Sequence, residues 1–390
     1  MENSRFHALD GLRGTAVLLV MIAHLSSGIS QGNDWLARIF YWPQALGWSG
    51  VDLFFVLSGF LITGILTAHR SASNYFSAFY AHRTLRIFPP LILLLVVVLI
   101  VLPQFGLVTI NPPVWPYWLF LSNLRLVLDI GDIDYIGVTW SLGIEEQFYI
   151  AWSIFVFFLS DRRLAIVAAA ILVAQLILRC SLVGHYPNNA VFLFTLTHLD
   201  GLCVGTLLRL AYDSPAWRPT LVHFGRTAWL WALLFAVGMF LDIKVWPQGD
   251  VGEWAYSFNM KFGLTLLSLF FAALVTAGLM KDGVIRRIFD WAPLRRLGDY
   301  SYFMYLFHFL LAAPVAHLAV HLGISHQGLS GLLVFLAEFA VVIFAAHLSF
   351  LYFERPIRSL KRFVPFRDES SSVHSNLSAS KEDPVPARLA

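Results

Sequence analysis

The chain has 390 residues, 58% of them hydrophobic and 13% charged, with a mean hydropathy of +0.69 and a net charge of +3 at pH 7. That is too little polar material to cover a soluble globule of this size, so the chain is an integral membrane protein. Two cysteines, Cys180 and Cys203, exclude a disulfide framework and are read as packing residues.

Apolar runs lie at 14–30, 50–68, 87–103, 142–159, 164–180, 190–210, 227–242, 257–280, 301–321 and 329–352. Each is long enough to cross roughly 30 Å of hydrocarbon as a helix, and no alternating pattern suggests a barrel. The expected class is therefore all-α, with about ten transmembrane helices.

The first run and its lead-in read LDGLRGTAVLLVMIAH from Leu9 to His24. Asp10 before it and the lack of a small-x-small cleavage site argue for a retained helix rather than a signal peptide. Arg13 and His24 are eleven residues apart, which at about 100° per residue puts them on one face. At about 1.5 Å per residue they are roughly 16 Å apart along the axis, so an arginine at one surface leaves the imidazole deep in the bilayer. An ionisable group there marks a functional site by default.

The second run, VDLFFVLSGFLIT, carries Asp52 near its outer end and Ser58-Gly59 in its middle. Ser58 lacks a G-x-S-x-G elbow, so close helix packing is the favoured reading over nucleophilic catalysis. Ahead of the third run comes HRTLRIFPP, where Arg83 and Arg86 sit three apart. Such a fork suits a phosphate, and its plain alternative is a positive-inside anchor. The fourth run opens TWSLGIEEQFY; Glu145 and Glu146 point about 100° apart, so one is expected to face inward and the other the surface. A helix-start acid serving the macrodipole is the simpler alternative. His198 and His308 each read as a hydrogen-bonded packing residue when taken alone. No metal site is expected, since Glu338 and His347 are nine apart on opposite helix faces.

The segment 114–128 is short, carries Pro116 and Arg125 and is rich in interfacial aromatics. If it does not span, one set of loops and tails holds every Lys and Arg of the 27 except Arg38, Arg125, Arg179, Lys244 and Lys261. That bias makes both termini cytoplasmic and the segment a re-entrant or interfacial element on the outer side. The stretch ERPIRSLKRFVPFR suits anionic headgroups, and the Ser- and Pro-rich tail from Asp368 is expected to be disordered.

In this order, LDGLRG, VDLFFVLSGFLIT, HRTLRIFPP, TWSLGIEEQFY, LDGLCVG, SYFMYLFH and FERPIR resemble the acyltransferase 3 family, bacterial membrane O-acyltransferases of glycans and related acceptors. The resemblance covers roughly residues 5 to 360. It implies catalytic roles for Arg13 and His24, matches the Arg-x-x-Arg motif to Arg83 and Arg86, and places the functional carboxylate at Glu145. Some relatives add a soluble hydrolase-like domain; this chain looks like the single-domain form, with a transmembrane domain at 1–360 and a basic, then disordered, cytoplasmic tail at 361–390.

The expected activity is transfer of an acyl group, acetyl above all, from acyl-CoA to a hydroxyl of a glycan or glycolipid. His24 acts as base with Glu145 orienting or charge-balancing it, an acyl-histidine being a variant, and Arg83 and Arg86 hold CoA phosphates. The expected partners are acyl-CoA, the acceptor and membrane lipids, with no nucleic acid, and the expected location is the bacterial inner membrane. The alternative is a transporter or flippase that does no covalent chemistry.

Overall fold

A computed structural model describes residues 7–32, 34–111, 113–128, 131–245, 258–280 and 283–367. The first part of the chain forms α1 (His7–Leu25), α2 (Ser27–Ser30), α3 (Trp35–Leu46), α4 (Gly50–Ala68), α5 (Tyr75–Val96) and α6 (Leu102–Gln104). The middle forms α7 (Trp115–Trp118), α8 (Thr139–Phe158), α9 (Asp161–Leu182), α10 (Asn188–Leu193), α11 (Asp200–Asp213) and α12 (Arg218–Gly225). The last part forms α13 (Ala228–Val245), α14 (Leu264–Leu279), α15 (Val284–Phe289), α16 (Ala292–His321), α17 (Gly328–Ser349) and α18 (Arg355–Ser359). The protein is an all-α integral membrane protein. Seven described helices are long and apolar enough to cross a membrane, or eight if the bent pair formed by α12 and the start of α13 is one span.

The ten apolar runs differ from these helices at informative places. The run at 190–210 is broken, with α10, a 3-10 turn and α11 replacing one span. The cause is local: the Thr197 hydroxyl donates to the carbonyls of Phe194 and Val191, and His198 Nδ1 donates to Phe192 O at 2.8 Å. These side chains compete for the carbonyls that a continuing helix would use. The helix expected from 87 begins at Tyr75 instead, so Arg83 and Arg86 lie inside α5. The segment 114–128 holds only the four-residue α7 and a 3-10 turn, too short to cross a bilayer.

Glycines decide how the helices meet. A Cβ on Gly14 would strike the Leu294 carbonyl and come within 3.1 Å of Gly298 N, so α1 lies backbone against backbone on α16. His24 meets His308 ten residues further along each helix, which makes α1 and α16 parallel. Gly59 and Gly205 do the same for α4 and α11, each facing a carbonyl of the other helix.

The C-terminal basic stretch packs on protein rather than lying free against lipid. Phe366 stacks on His69 with ring centroids 3.9 Å apart, His82 Nε2 bonds Val364 O at 2.8 Å, and Asn74 donates to Pro365 O. The expected domain boundary at 360 falls inside this docked segment. The tail expected to be disordered, from Asp368, lies outside the described residues, as does Arg5.

Candidate active site

Three helices bring Arg13, Arg83, Arg86 and Glu145 around one cavity of about 450 Å³. Arg13 comes from the first turns of α1, the Arg83 and Arg86 pair from one face of α5, and Glu145 from the second turn of α8. Lys361 closes the cavity from the docked C-terminal stretch, and otherwise the lining is mostly aliphatic and aromatic. Four cationic side chains thus face one carboxylate. Arg83 lies 3.9 Å above the Tyr149 ring and 3.4 Å from Glu146. Glu146, expected to reach the surface, is instead held inside by this pair, with 13% of its side chain exposed.

Arg13 and Arg86 are different. Both are half-buried, and neither has a hydrogen bond or ion pair among the described residues. Cations shielded from water without a counter-charge are costly, and an anion in the cavity offsets that cost. Glu145 is near enough for its charge to act on Arg13 but makes no direct ion pair with either arginine, and its carboxylate accepts from the Ser58 hydroxyl at 2.6 Å. Ser58 therefore does have a carboxylate beside it, a contact across 87 residues that no local motif announced.

His24 stands elsewhere. It lines a second cavity of about 260 Å³ toward the other end of α1, and its ring meets His308 rather than Glu145. The expected Glu145–His24 pairing is absent because the two residues face separate cavities. His24 Nδ1 and His308 Nε2 are 2.8 Å apart with the rings coplanar to within 2°. His308 Nδ1 is in turn 2.8 Å from Tyr305 O. A carbonyl only accepts, so the proton on His308 sits on Nδ1, and in the neutral pair its Nε2 must accept from His24 Nδ1–H. That assigns the bare lone pair to His24 Nε2, the nitrogen a general base needs. The ring of Phe309, 4.7 Å from that of His24, fixes its plane further.

One turn of α16 links the two cavities. Tyr305 lines the first, held by Ser141 Oγ at 2.7 Å and Val138 O at 3.0 Å, while His308 three residues on is fully buried against His24. The motif SYFMYLFH thus supplies both the wall and the partner of the histidine, a role not assigned from sequence.

A second set of buried polar residues is scaffolding. Arg179 bonds Asp200 at 2.5 Å, with Thr265, Thr197 O and Lys261 O completing its donors. His198 bonds Asp52 at 3.1 Å. These contacts tie α4, α9, α11 and α14 together. Among the described residues no group of three or more His, Cys, Asp and Glu side chains could hold a metal ion.

Comparison with known proteins gives this arrangement a family. The profile of the acyltransferase domain family matches residues 6–353. Similar proteins include the O-acetyltransferase OatA of Staphylococcus aureus, 26% identical over 387 residues, covering 92% of this chain and 58% of that protein. The putative peptidoglycan O-acetyltransferase YrhL of Bacillus subtilis is 28% identical, covering 90% and 54%. The peptidoglycan O-acetyltransferase OatA of Listeria monocytogenes is 25% identical, covering 96% and 60%. The chain therefore spans a little over half the length of these relatives. No solved structure matches it.

Proposed function

Because this chain belongs to the acyltransferase domain family, we propose that it moves an acetyl group from acetyl-CoA to a hydroxyl of a cell-wall glycan, with peptidoglycan the foremost acceptor. The observation that carries the donor assignment is the half-buried, unpaired pair Arg13 and Arg86, beside Arg83 and Lys361 in one cavity. Planar guanidinium groups in that number suit a polyphosphate, and the apolar remainder of the lining suits an acyl thioester arm. These cations lie on the side assigned to the cytoplasm by the charge bias, where CoA is found, in a bacterial inner membrane with both termini inside. Glu145 and Ser58 set the charge and shape of this donor cavity.

In the transfer, the acceptor hydroxyl gives its proton to His24 Nε2 as its oxygen attacks the thioester carbonyl. The new C–O bond forms, the C–S bond breaks, and the proton returns to sulfur, releasing free CoA thiol. His308 accepts from His24 Nδ1–H throughout, and so stabilises the imidazolium that forms. The acyl carbon has to cross one turn of α16, Tyr305 to His308, to reach this nitrogen.

Purified chain in lipid vesicles, given acetyl-CoA and soluble peptidoglycan fragments, should release thiol in proportion to acetyl ester formed. His24→Gln should reduce this to background. Arg86→Gln should raise the Michaelis constant for acetyl-CoA by about 10- to 100-fold, the loss of a charged hydrogen bond. Fragment movement across the vesicle wall with no thiol released would instead favour a transporter and overturn the proposal.

A further inference from the structure

The cavity beside His24 contains polar groups that the transfer chemistry does not use. Glu338, halfway along α17, is 6% exposed, lines this cavity and has no hydrogen-bond partner among the described residues. A carboxyl group in that setting has its hydrogen-bonding capacity open to whatever fills the cavity. His326, in the loop between α16 and α17, also lines the cavity, and its Nε2 is buried with no partner. The loop that carries it is fixed: a Cβ on Gly28 or on Gly331 would collide with His326. The backbone and Cβ of His326 are thus set before any ligand arrives.

The third feature is Tyr135, on the wall of the same cavity, with φ +70°. A bulky L-residue in the left-handed region costs about 1–3 kcal/mol and persists where its surroundings impose it, commonly at a ligand site. The room comes from Ala312, Ala313 and Ala316 on one face of α16, opposite Glu338 on α17.

A flat ring, a carboxyl group and an imidazole around a space that His24 also lines match one ligand chemistry. We infer that this cavity is the acceptor subsite and takes a single pyranose unit of a glycan. Tyr135 supplies a platform for the sugar's C–H face, and Glu338 accepts from a hydroxyl or amide N–H adjacent to the reacting oxygen. The His326 ring closes the wall beside it. This inference rests on His24 being the base, and it adds the residues that choose the acceptor.

Binding of muramidase-released peptidoglycan fragments to the full chain in detergent, measured with no donor present, tests it. Glu338→Gln should weaken binding by roughly 10- to 100-fold. Tyr135→Ala should weaken it about tenfold, and Tyr135→Phe should hold it within threefold, because the ring and not the hydroxyl is used. In acetyl transfer, Glu338→Gln should raise the Michaelis constant for fragments while that for acetyl-CoA stays within twofold. Unchanged fragment affinity in both Glu338→Gln and Tyr135→Ala, or no fragment binding by the unaltered chain, would overturn the subsite. His24→Gln separates the two claims: if it binds fragments yet transfers acetyl at the full rate, the base assignment falls and the subsite stands.

Discussion

Replacing His308 tests the assignment of the lone pair on His24. In His308→Leu the His24 Nδ1–H loses its one acceptor among the described residues, 2.8 Å away, and nothing fixes which nitrogen carries the proton. The imidazolium formed during transfer also loses a hydrogen bond to a charged group, worth about 1.5–3 kcal/mol. At about 1.36 kcal/mol per factor of ten, kcat should fall roughly 10- to 150-fold. The Michaelis constants for acetyl-CoA and for peptidoglycan fragments should move little, because His308 lines neither cavity. His308→Gln places an amide oxygen near the former Nε2 and should recover kcat to within about fivefold of the unaltered chain, since one neutral acceptor replaces another. Thiol release from acetyl-CoA, followed at saturating fragment, gives both constants. Equal kcat values for the Leu and Gln variants would refute the reasoning, since they differ in the acceptor and little else.

Two further substitutions probe the frame. Asp200→Ala leaves Arg179 buried with its charge uncompensated, and should destabilise the fold by about 3–5 kcal/mol, read as a lower midpoint in thermal unfolding in detergent. Gly14→Val sets a branched side chain against the Leu294 carbonyl; it should cost at least about 1–3 kcal/mol and lower acetyl transfer as well, through misplacement of His24, whereas Ala at exposed Thr84 should do neither.

Much of this was legible in the sequence because it depends on spacing within one segment. That Arg13 and His24 share one face of α1, and Arg83 and Arg86 one face of α5, follows from helical periodicity, whereas the choice of Glu145 over Glu146 comes from the family resemblance. The partners were not legible, because they come from far along the chain. His308 is 284 residues from His24, and Ser58 is 87 from Glu145. The sequence reading therefore pairs His24 with Glu145, the carboxylate that the family resemblance supplies, and leaves His308 as a packing residue. Glu338 was weighed only as a metal ligand, since its isolation from other polar groups shows only in three dimensions. The break near 195 escaped notice for a related reason: a hydropathy window averages over Thr197 and His198, whose side chains capture the carbonyls locally. The basic C-terminal stretch reads as a lipid anchor by composition, while its aromatic Phe366 finds His69 and His82.

The parallel crossing of α1 and α16 makes the molecule a caliper. Gly14 and Gly298 form the pivot, and His24 and His308 are the tips, each ten residues or roughly 15 Å out along its arm. A tilt of only about 5° at such a pivot would part the tips by about 1.3 Å over that arm, enough to break a hydrogen bond. Arg13 sits one residue from the pivot and hardly moves. The proposed anion there and the proposed sugar at the far end would thus be measured by the same instrument, and its setting is fixed by two residues that have no side chain at all.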